Sequence, residues 1–151
     1  MVKGKALKSL LIAAALVICG TDSFAQTTDT QWENLITAIS AVESKHDPKA
    51  FNRNGNCAGM LQITPILVTE SNNILKSKGS SKRYTLQDRF DKDKSIEMFN
   101  LIQGKYNPNK DISLAIRLWN AGPVALKVKN VSEGYYKKVM AEFRKLEENN
   151  T

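Results

Sequence analysis

The chain has 151 residues, of which 42% are hydrophobic, 25% charged and 7% aromatic. These proportions are typical of a globular protein and exclude a collagen-like, low-complexity or charge-driven disordered chain. At this length one domain can bury a core without disulfides or metals. The formal net charge of +7 is compatible with attraction to nucleic acid, anionic lipid or an acidic cell-wall polymer, and it does not choose among them.

The first 25 residues have the pattern of a signal peptide. Three lysines precede an apolar run over residues 10–18, which is too short to span a bilayer. Ser23-Phe24-Ala25 supplies the small residues that a signal peptidase needs. We therefore expect cleavage before Gln26 and an exported protein, periplasmic or extracellular, whose one domain covers residues 26–151.

The competing interpretation of this leader is a lipoprotein acylated at Cys19. Bulky Ile18 argues against it, because the residue before a lipidated cysteine is normally small. Removal of the leader leaves Cys57 as the only cysteine beside a single histidine, His46, so no internal disulfide and no zinc-type cluster can form. A nucleophilic Cys57–His46 pair is conceivable, but a partly buried thiol is the ordinary case. We expect neither a metal nor a cofactor.

The remainder predicts an all-α fold of about six short helices. Thr30 to Glu33 has capping-box spacing, which predicts a first helix running to about His46, before Asp47-Pro48. Its apolar stripe consists of Leu35, Ile36, Ile39 and Val42. After a polar loop, Thr64 with Pro65 behind it predicts the cap of a second helix that ends at Lys76 or Lys78.

A basic polar loop is predicted over residues 79–90. Asp91 or Asp93 then starts a third helix, and Asp111 caps a fourth that stops at Ala121-Gly122-Pro123. A short helical piece is predicted over residues 124–129. The last helix opens at Ser132 and turns five residues inward: Tyr136, Val139, Met140, Phe143 and Leu146. No strand pattern or repeat stands out, so the predicted fold class is all-α.

One residue of the first helix is chemically out of place. Glu43 follows Ile36 by seven residues and Ile39 by four, so it lies on the face that should be buried. Burial and the negative end of the helix dipole both disfavour the carboxylate and raise its pKa. A carboxylic acid that stays protonated near neutral pH is what a general acid requires. The alternative is that the helix ends near Glu43 and the side chain turns to water.

Two later segments suit a sugar-binding cleft. Gly59 allows close backbone approach and stands three residues before Gln62, whose amide can both donate and accept. Trp119-Asn120 places an aromatic face and a second amide at a helix end. Amides bind hydroxyl and N-acetyl groups, and aromatic rings stack on the apolar faces of sugars. Each segment alone is a weak signal, since Trp119 could be an ordinary core residue.

Taken in order, these segments resemble the soluble lytic transglycosylases, murein-cleaving enzymes with a lysozyme-like fold. The family's glutamate-serine motif is matched by Glu43-Ser44, and its Gly-Leu-Met-Gln-like turn by Gly59-Met60-Leu61-Gln62 with the two apolar residues exchanged. Its Tyr-Asn-Ala-Gly motif appears as Trp119-Asn120-Ala121-Gly122, with tryptophan for tyrosine. Its final tyrosine motif is similar to the stretch that starts at Tyr135. The likeness spans residues 31–145.

The resemblance implies a single-domain, lysozyme-like fold around a glycan-binding cleft and a role for each matched residue. Glu43 would protonate the oxygen of the β-1,4 bond between N-acetylmuramic acid and N-acetylglucosamine, then accept a proton from the muramoyl C6 hydroxyl, which closes an anhydro ring. The other matched residues would hold or support the sugar: Ser44 would orient Glu43 or a leaving-side group, Gln62 and Asn120 would hydrogen-bond the sugar, Tyr135 would support Glu43 or the N-acetyl group, and Met60 and Trp119 would line the cleft.

Two alternatives to this activity stay open. Hydrolytic glycosidases generally need two carboxyl groups, whereas a transglycosylase can work with one because the substrate's own hydroxyl attacks. In a goose-type-like lysozyme, Asp47, Glu70 or Asp91 would position a water. A peptidoglycan-binding module with an idle Glu43 is the non-enzymatic alternative.

The expected partner is the glycan strand of peptidoglycan, bound by a monomer. Nucleic acid is not expected, because export removes it and no nucleic-acid-binding motif accompanies the basic residues. The sequence leaves open whether the biological setting is general wall turnover or a secretion or conjugation apparatus.

Overall fold

The structure, a computed structural model, describes residues 27–149. The predicted signal peptide, its cleavage site and Cys19 lie outside the described residues. Two 3₁₀ helices, Leu86–Phe90 and Gly122–Leu126, accompany a two-stranded hairpin and five α-helices. In chain order the other elements are α1 (Asp29–Ser44), β1 (Phe51–Asn52), β2 (Cys57–Ala58), α2 (Pro65–Ser77), α3 (Lys92–Tyr106), α4 (Ile112–Ala121) and α5 (Glu133–Asn149). The predicted all-α class is confirmed.

The start of α1 differs from the prediction. Thr28, not Thr30, caps the helix: its hydroxyl accepts from the Gln31 N–H at 3.1 Å, and its own N–H donates to the Gln31 side chain at 3.1 Å. The end also comes earlier than predicted, at Ser44, because Lys45 and His46 both have a positive φ, of 56° and 66°, which the right-handed helix cannot contain.

The other predicted caps are confirmed. Thr64 accepts from the Leu67 N–H with Pro65 at the first helical position of α2, and Asp91 and Asp111 cap α3 and α4 in the same way. The hairpin was not predicted, since its strands of two residues are too short to show a period-two pattern. The loop predicted over residues 79–90 contains the first 3₁₀ helix, and the second begins at Gly122 rather than at residue 124.

The core lies where α1, α3 and α4 meet. Phe99 is fully buried, with its ring 5.8 Å from that of Trp32 and 4.9 Å from that of Trp119. The stripe of α1 is buried as predicted, apart from Val42 at its edge. On α5, Val139 and Phe143 are buried, while the other three predicted inward residues are partly buried against the core. Within the described part of the chain, no helix is both long and apolar enough to cross a bilayer.

A buried arginine fixes the hairpin and the turn that follows it. The Arg89 guanidinium donates to the carbonyls of Asn56 at 2.7 Å and Ile63 at 3.1 Å, and its Nε–H donates to the Leu86 carbonyl at 2.9 Å. Gly59 packs against the same residue, because a Cβ built on it would lie 1.7 Å from the Arg89 carbonyl oxygen. The segment from Asn56 to Ile63 is therefore held at a fixed distance from the first 3₁₀ helix.

We expect Gly59→Ala to lower the free energy of unfolding by roughly 3–5 kcal/mol, because the methyl group adds a backbone clash to the strain of a positive φ. Gly79→Ala is the matched control: Gly79 has a φ of +72°, and its Cβ would meet no described atom within 4 Å. The control should lose only about 1–2 kcal/mol. Urea unfolding measures both values, and equal losses would contradict the close packing of Gly59 on Arg89.

Candidate active site

The carboxyl group of Glu43 lies at the C-terminal end of α1 and is directed at α5. Its side chain is partly buried, and the hydroxyl of Tyr135 donates a hydrogen bond to Oε1 at 2.7 Å. α1 packs against α5 along much of its length. The helix pair thus brings together two of the residues selected from the sequence, although 92 positions separate them.

Burial controls the chemistry of this pair. Desolvation raises the pKa of the Glu43 carboxyl above its ordinary value, and the hydrogen bond from Tyr135 lowers it again in part. Burial and the neighbouring carboxylate both raise the pKa of Tyr135, so its phenol stays protonated and can donate. Glu43 can therefore carry a proton to higher pH than an exposed glutamate, and its anion has a donor beside it.

The turn after the hairpin lies next to the end of α1. The Ser44 hydroxyl donates to the Met60 carbonyl at 2.9 Å, which ties α1 to this turn. Gln62 has a φ of +50°, and its Nε2 donates to the Gly59 carbonyl at 3.0 Å. Its Oε1 can accept from a ligand. Met60 is buried and belongs to the core cluster, and its place on the cleft wall stays a prediction.

Trp119 and Asn120 connect the core with the surface. The Trp119 indole N–H donates to the Leu61 carbonyl at 3.1 Å, and the ring is largely buried. Asn120 is exposed, and its Oδ1 accepts from the Ser132 hydroxyl at 2.6 Å, which leaves Nδ2 able to donate. Each of these two amides therefore has one polar atom that can bond a ligand: Oε1 of Gln62 and Nδ2 of Asn120.

A groove of about 410 Å³ opens between the start of α2 and the end of α4. It is lined by Thr64, Ile66, Leu67, Glu70, Ile102, Tyr106, Leu118, Trp119, Asn120, Ala121, Gly122 and Pro123. Glu43, Gln62 and Tyr135 are outside this lining, and the bond from Ser132 to Asn120 joins the groove to the start of α5. Two larger cavities, of about 470 and 590 Å³, contain none of the candidate site residues.

The Transglycosylase SLT domain family model matches residues 23–140 of the chain. The chain belongs to this family. The match includes Glu43, the turn from Gly59 to Gln62, Trp119-Asn120 and Tyr135, and it confirms the resemblance drawn from the motifs. Members of this family are lysozyme-like lytic transglycosylases that act on peptidoglycan. No curated protein and no solved structure matches the chain.

The three candidate second carboxylates of the SLT domain differ in their surroundings. Asp47 is exposed and accepts from the Lys49 N–H at 2.8 Å, as a turn-forming residue does, and Asp91 caps α3. Glu70 alone of the three lines the groove, where Lys105 and the Tyr106 hydroxyl both bond its Oε1. The sequence does not reveal this environment of Glu70, because its partners lie on α3.

The cysteine and the histidine do not form a catalytic pair. His46 Nδ1 lies 3.1 Å from the Ser40 hydroxyl, and the Cys57 thiol contacts the Gly55 carbonyl at 3.4 Å. Burial raises the pKa of Cys57, and the charge of Glu43 raises it further, so the thiolate is disfavoured. Residues 27–149 contain no group of three or more His, Cys, Asp or Glu side chains that could hold a metal ion.

Tyr135→Phe should raise the pKa of Glu43 further, because the change removes the one hydrogen bond that lowers it. Carbon-detected NMR titration of the Glu43 carboxyl measures this value. Tyr136→Phe is the control, since the Tyr136 ring packs on the Arg117 guanidinium, 4.1 Å from its centroid, on α4. A Glu43 pKa that stays the same in Tyr135→Phe, or moves equally in both variants, would contradict the assigned interaction.

The same raised pKa predicts a pH-dependent stability. The folded protein holds a proton on Glu43 at pH values where the unfolded chain has lost it, so the free energy of unfolding falls as pH rises from the ordinary glutamate pKa through the raised one. Glu43→Gln lacks this loss and should gain stability relative to wild type across that window. Denaturant unfolding at a series of pH values tests this, with exposed Glu33→Gln of the same helix as the control. A constant difference between Glu43→Gln and wild type would refute it.

Proposed function

We propose that this SLT domain cleaves the β-1,4 bond between N-acetylmuramic acid and N-acetylglucosamine without consuming water, with Glu43 as both acid and base. The observation that carries this proposal is the partly buried Glu43 carboxyl, whose pKa is raised and whose Oε1 accepts from Tyr135 at 2.7 Å. One carboxyl group is sufficient when the attacking hydroxyl belongs to the substrate.

Two proton transfers complete the reaction. Glu43 first gives its proton to the glycosidic oxygen, the bond from that oxygen to the muramoyl C1 breaks, and the N-acetylglucosamine side leaves as an alcohol. The Glu43 carboxylate then accepts the proton of the muramoyl C6 hydroxyl as O6 bonds to C1. The product is a 1,6-anhydromuramoyl end, and Glu43 is protonated again. The Tyr135 hydroxyl stabilises the carboxylate between the two transfers.

The remaining family positions support or contact the sugar. Gln62 accepts a sugar donor through Oε1, and Asn120 donates through Nδ2, because the other half of each amide is occupied by the protein. Trp119 offers a ring edge in the groove. Ser44 and Met60 fix the turn that carries Gln62, and Gly59 keeps that turn against Arg89.

A hydrolase of the lysozyme type is the second candidate, and one observation favours it. Glu70 lines the groove, and the bonds from Lys105 and Tyr106 lower its pKa, so the groove contains an ionised carboxylate. Such a group could hold an attacking water for an inverting reaction. Hydrolysis would leave a reducing muramoyl end instead of an anhydro end.

We further propose that residues 1–25 direct export and that the substrate is met in the cell envelope. The leader pattern of the sequence supports export, and the excess of Lys and Arg over Asp and Glu suits an acidic wall polymer. The general wall and a secretion or conjugation apparatus are both settings in which such cleavage would occur.

Glu43→Gln should lower the rate of murein cleavage by about 10²–10⁴-fold, since general acid–base catalysis contributes that much. Loss of turbidity of purified murein measures the rate, and Glu33→Gln is the matched control on α1 because it changes an exposed glutamate. Equal clearing by wild type and Glu43→Gln would exclude Glu43 as the acid. If the wild type does not clear murein, the domain is a peptidoglycan-binding module and not an enzyme.

Mass spectrometry of the wild-type products separates the two enzymes. Anhydro ends are lighter than reducing ends by one water, and we expect anhydro ends. Reducing ends that disappear in Glu70→Gln would establish the hydrolase instead.

A further inference from the structure

Three aliphatic side chains are exposed in the segment that follows α4. Val124 and Leu126 belong to the second 3₁₀ helix and Val128 comes just after it, with exposed fractions of 51%, 48% and 48%. Ala125, between the first two, is buried and holds the segment on the core. These three exposed side chains are called the aliphatic patch below. Exposed aliphatic groups within five consecutive positions indicate a surface that another molecule covers.

Hydrogen bonds give this segment a fixed shape. The N–H groups of Lys127 and Val128 both donate to the Val124 carbonyl at 3.0 Å, which closes a turn across the aliphatic patch. Further along the chain, the buried Arg117 guanidinium donates to the Val131 carbonyl at 2.7 Å. The aliphatic patch is therefore formed before a partner arrives, so that binding costs little ordering of the loop.

Lysines alternate with the aliphatic patch along the chain. Lys127 and Lys129 are exposed on either side of Val128, and residues 112–132 contain no Asp or Glu. Within residues 27–149 neither lysine forms a salt bridge. Two cations without a paired carboxylate therefore accompany the aliphatic side chains.

A polar cavity of about 590 Å³ borders the same segment. Its lining includes Lys129 and Asn130, together with Asn109 and Ser113, whose amide and hydroxyl groups can bond an anion. The one acidic residue of this lining, Asp111, caps α4 by accepting from a backbone N–H at 2.6 Å. The segment thus offers an apolar surface, two cations and space for a polar group.

This combination fits a lipid surface better than a protein partner. The core of a protein–protein interface is rich in aromatic residues and poor in lysine, and Trp, Tyr and Arg dominate its binding energy. Here two valines and one leucine alternate with lysines. Such a mixture is typical of a segment at the boundary of an anionic membrane, where aliphatic side chains enter the acyl region and lysines stay with the headgroups.

We propose that residues 122–130 dock the domain on a membrane of anionic phospholipid. The aliphatic patch enters the boundary between headgroups and acyl chains, Lys127 and Lys129 bond lipid phosphates, and the adjoining cavity accepts a headgroup. Gly122 and Pro123 also line the groove between α2 and α4, so docking holds that end of the groove at the bilayer surface. This docking goes beyond the proposed function and does not depend on it.

Co-sedimentation with lipid vesicles tests the docking. The chain from residue 26 onward contains every described element and lacks the apolar run of residues 10–18, which would bind lipid by itself. We expect it to bind vesicles of mixed phosphatidylglycerol and phosphatidylcholine at least about tenfold more tightly than vesicles of phosphatidylcholine alone, because lysines are attracted to an anionic surface. High salt should reduce this difference.

Two leucines of nearly equal exposure give a matched pair of variants. Leu126→Ser should bind the anionic vesicles about five- to tenfold more weakly, because an aliphatic side chain no longer leaves water on binding. Leu86→Ser changes a leucine that is 50% exposed outside the segment, and it should bind like wild type. Thermal unfolding shows whether each variant is still folded.

The lysines have a matched pair as well. Lys127→Gln/Lys129→Gln should bind the anionic vesicles at least about tenfold more weakly. The control Lys76→Gln/Lys78→Gln removes the same net charge from exposed positions at the end of α2. Because these lysines are outside the docking segment, the control should lose less than about threefold.

The outcomes separate this docking from its alternatives. Absent binding of wild type to anionic vesicles, or equal binding by wild type and Leu126→Ser, overturns it. Equal losses in the two double-lysine variants overturn it as well, because net charge alone would then explain binding. A dimer in analytical ultracentrifugation that Leu126→Ser abolishes, without vesicle binding, would assign the aliphatic patch to a second copy of the chain. Murein cleavage is measured without lipid, so the docking and the proposed function can fail separately.

Discussion

The hydrogen bond between Tyr135 and Glu43 depends on how α1 and α5 pack, and the chemistry proposed for Glu43 depends on that packing. The two helices are joined at their other ends as well, where Gln31 and Asn34 of α1 donate to the Glu147 carboxylate. With both ends fixed, the carboxyl of Glu43 stays between the helices, where burial raises its pKa. A glutamate on an isolated helix end would be solvated and would ionise normally.

Local rules predicted much of the helical framework. Caps at Thr64, Asp91 and Asp111 follow from a side-chain oxygen that reaches an N–H three residues on, which no distant contact can easily change. The start of α1 could not be chosen this way, since Thr28 and Thr30 are each followed three residues later by a Gln or Glu. The Thr27 hydroxyl donates to the Lys110 carbonyl, 83 positions away. A contact between residues so far apart in the sequence cannot be predicted from local rules.

The same difference between local signals and long-range contacts applies to the candidate site. Glu43 could be selected from the sequence because it is a charged residue at a position where the helical spacing of Ile36 and Ile39 predicts an apolar one. The bond from Ser44 to Met60 and the burial of Met60 could not be predicted, because both depend on how the hairpin turn meets α1. The surroundings of Glu70 could not be predicted for the same reason, as its partners Lys105 and Tyr106 come from α3, 35 and 36 positions later.

Trp119 belongs to two environments at once. Its ring packs at a tilt against that of Phe99 in the core, and Trp119 also forms part of the groove wall. A substitution of Trp119 would therefore change the groove and the packing of the core together, whereas Ile66 at the rim is 78% exposed and can change without disturbing the core. The shape of this part of the groove is thus limited by the requirement that the chain fold.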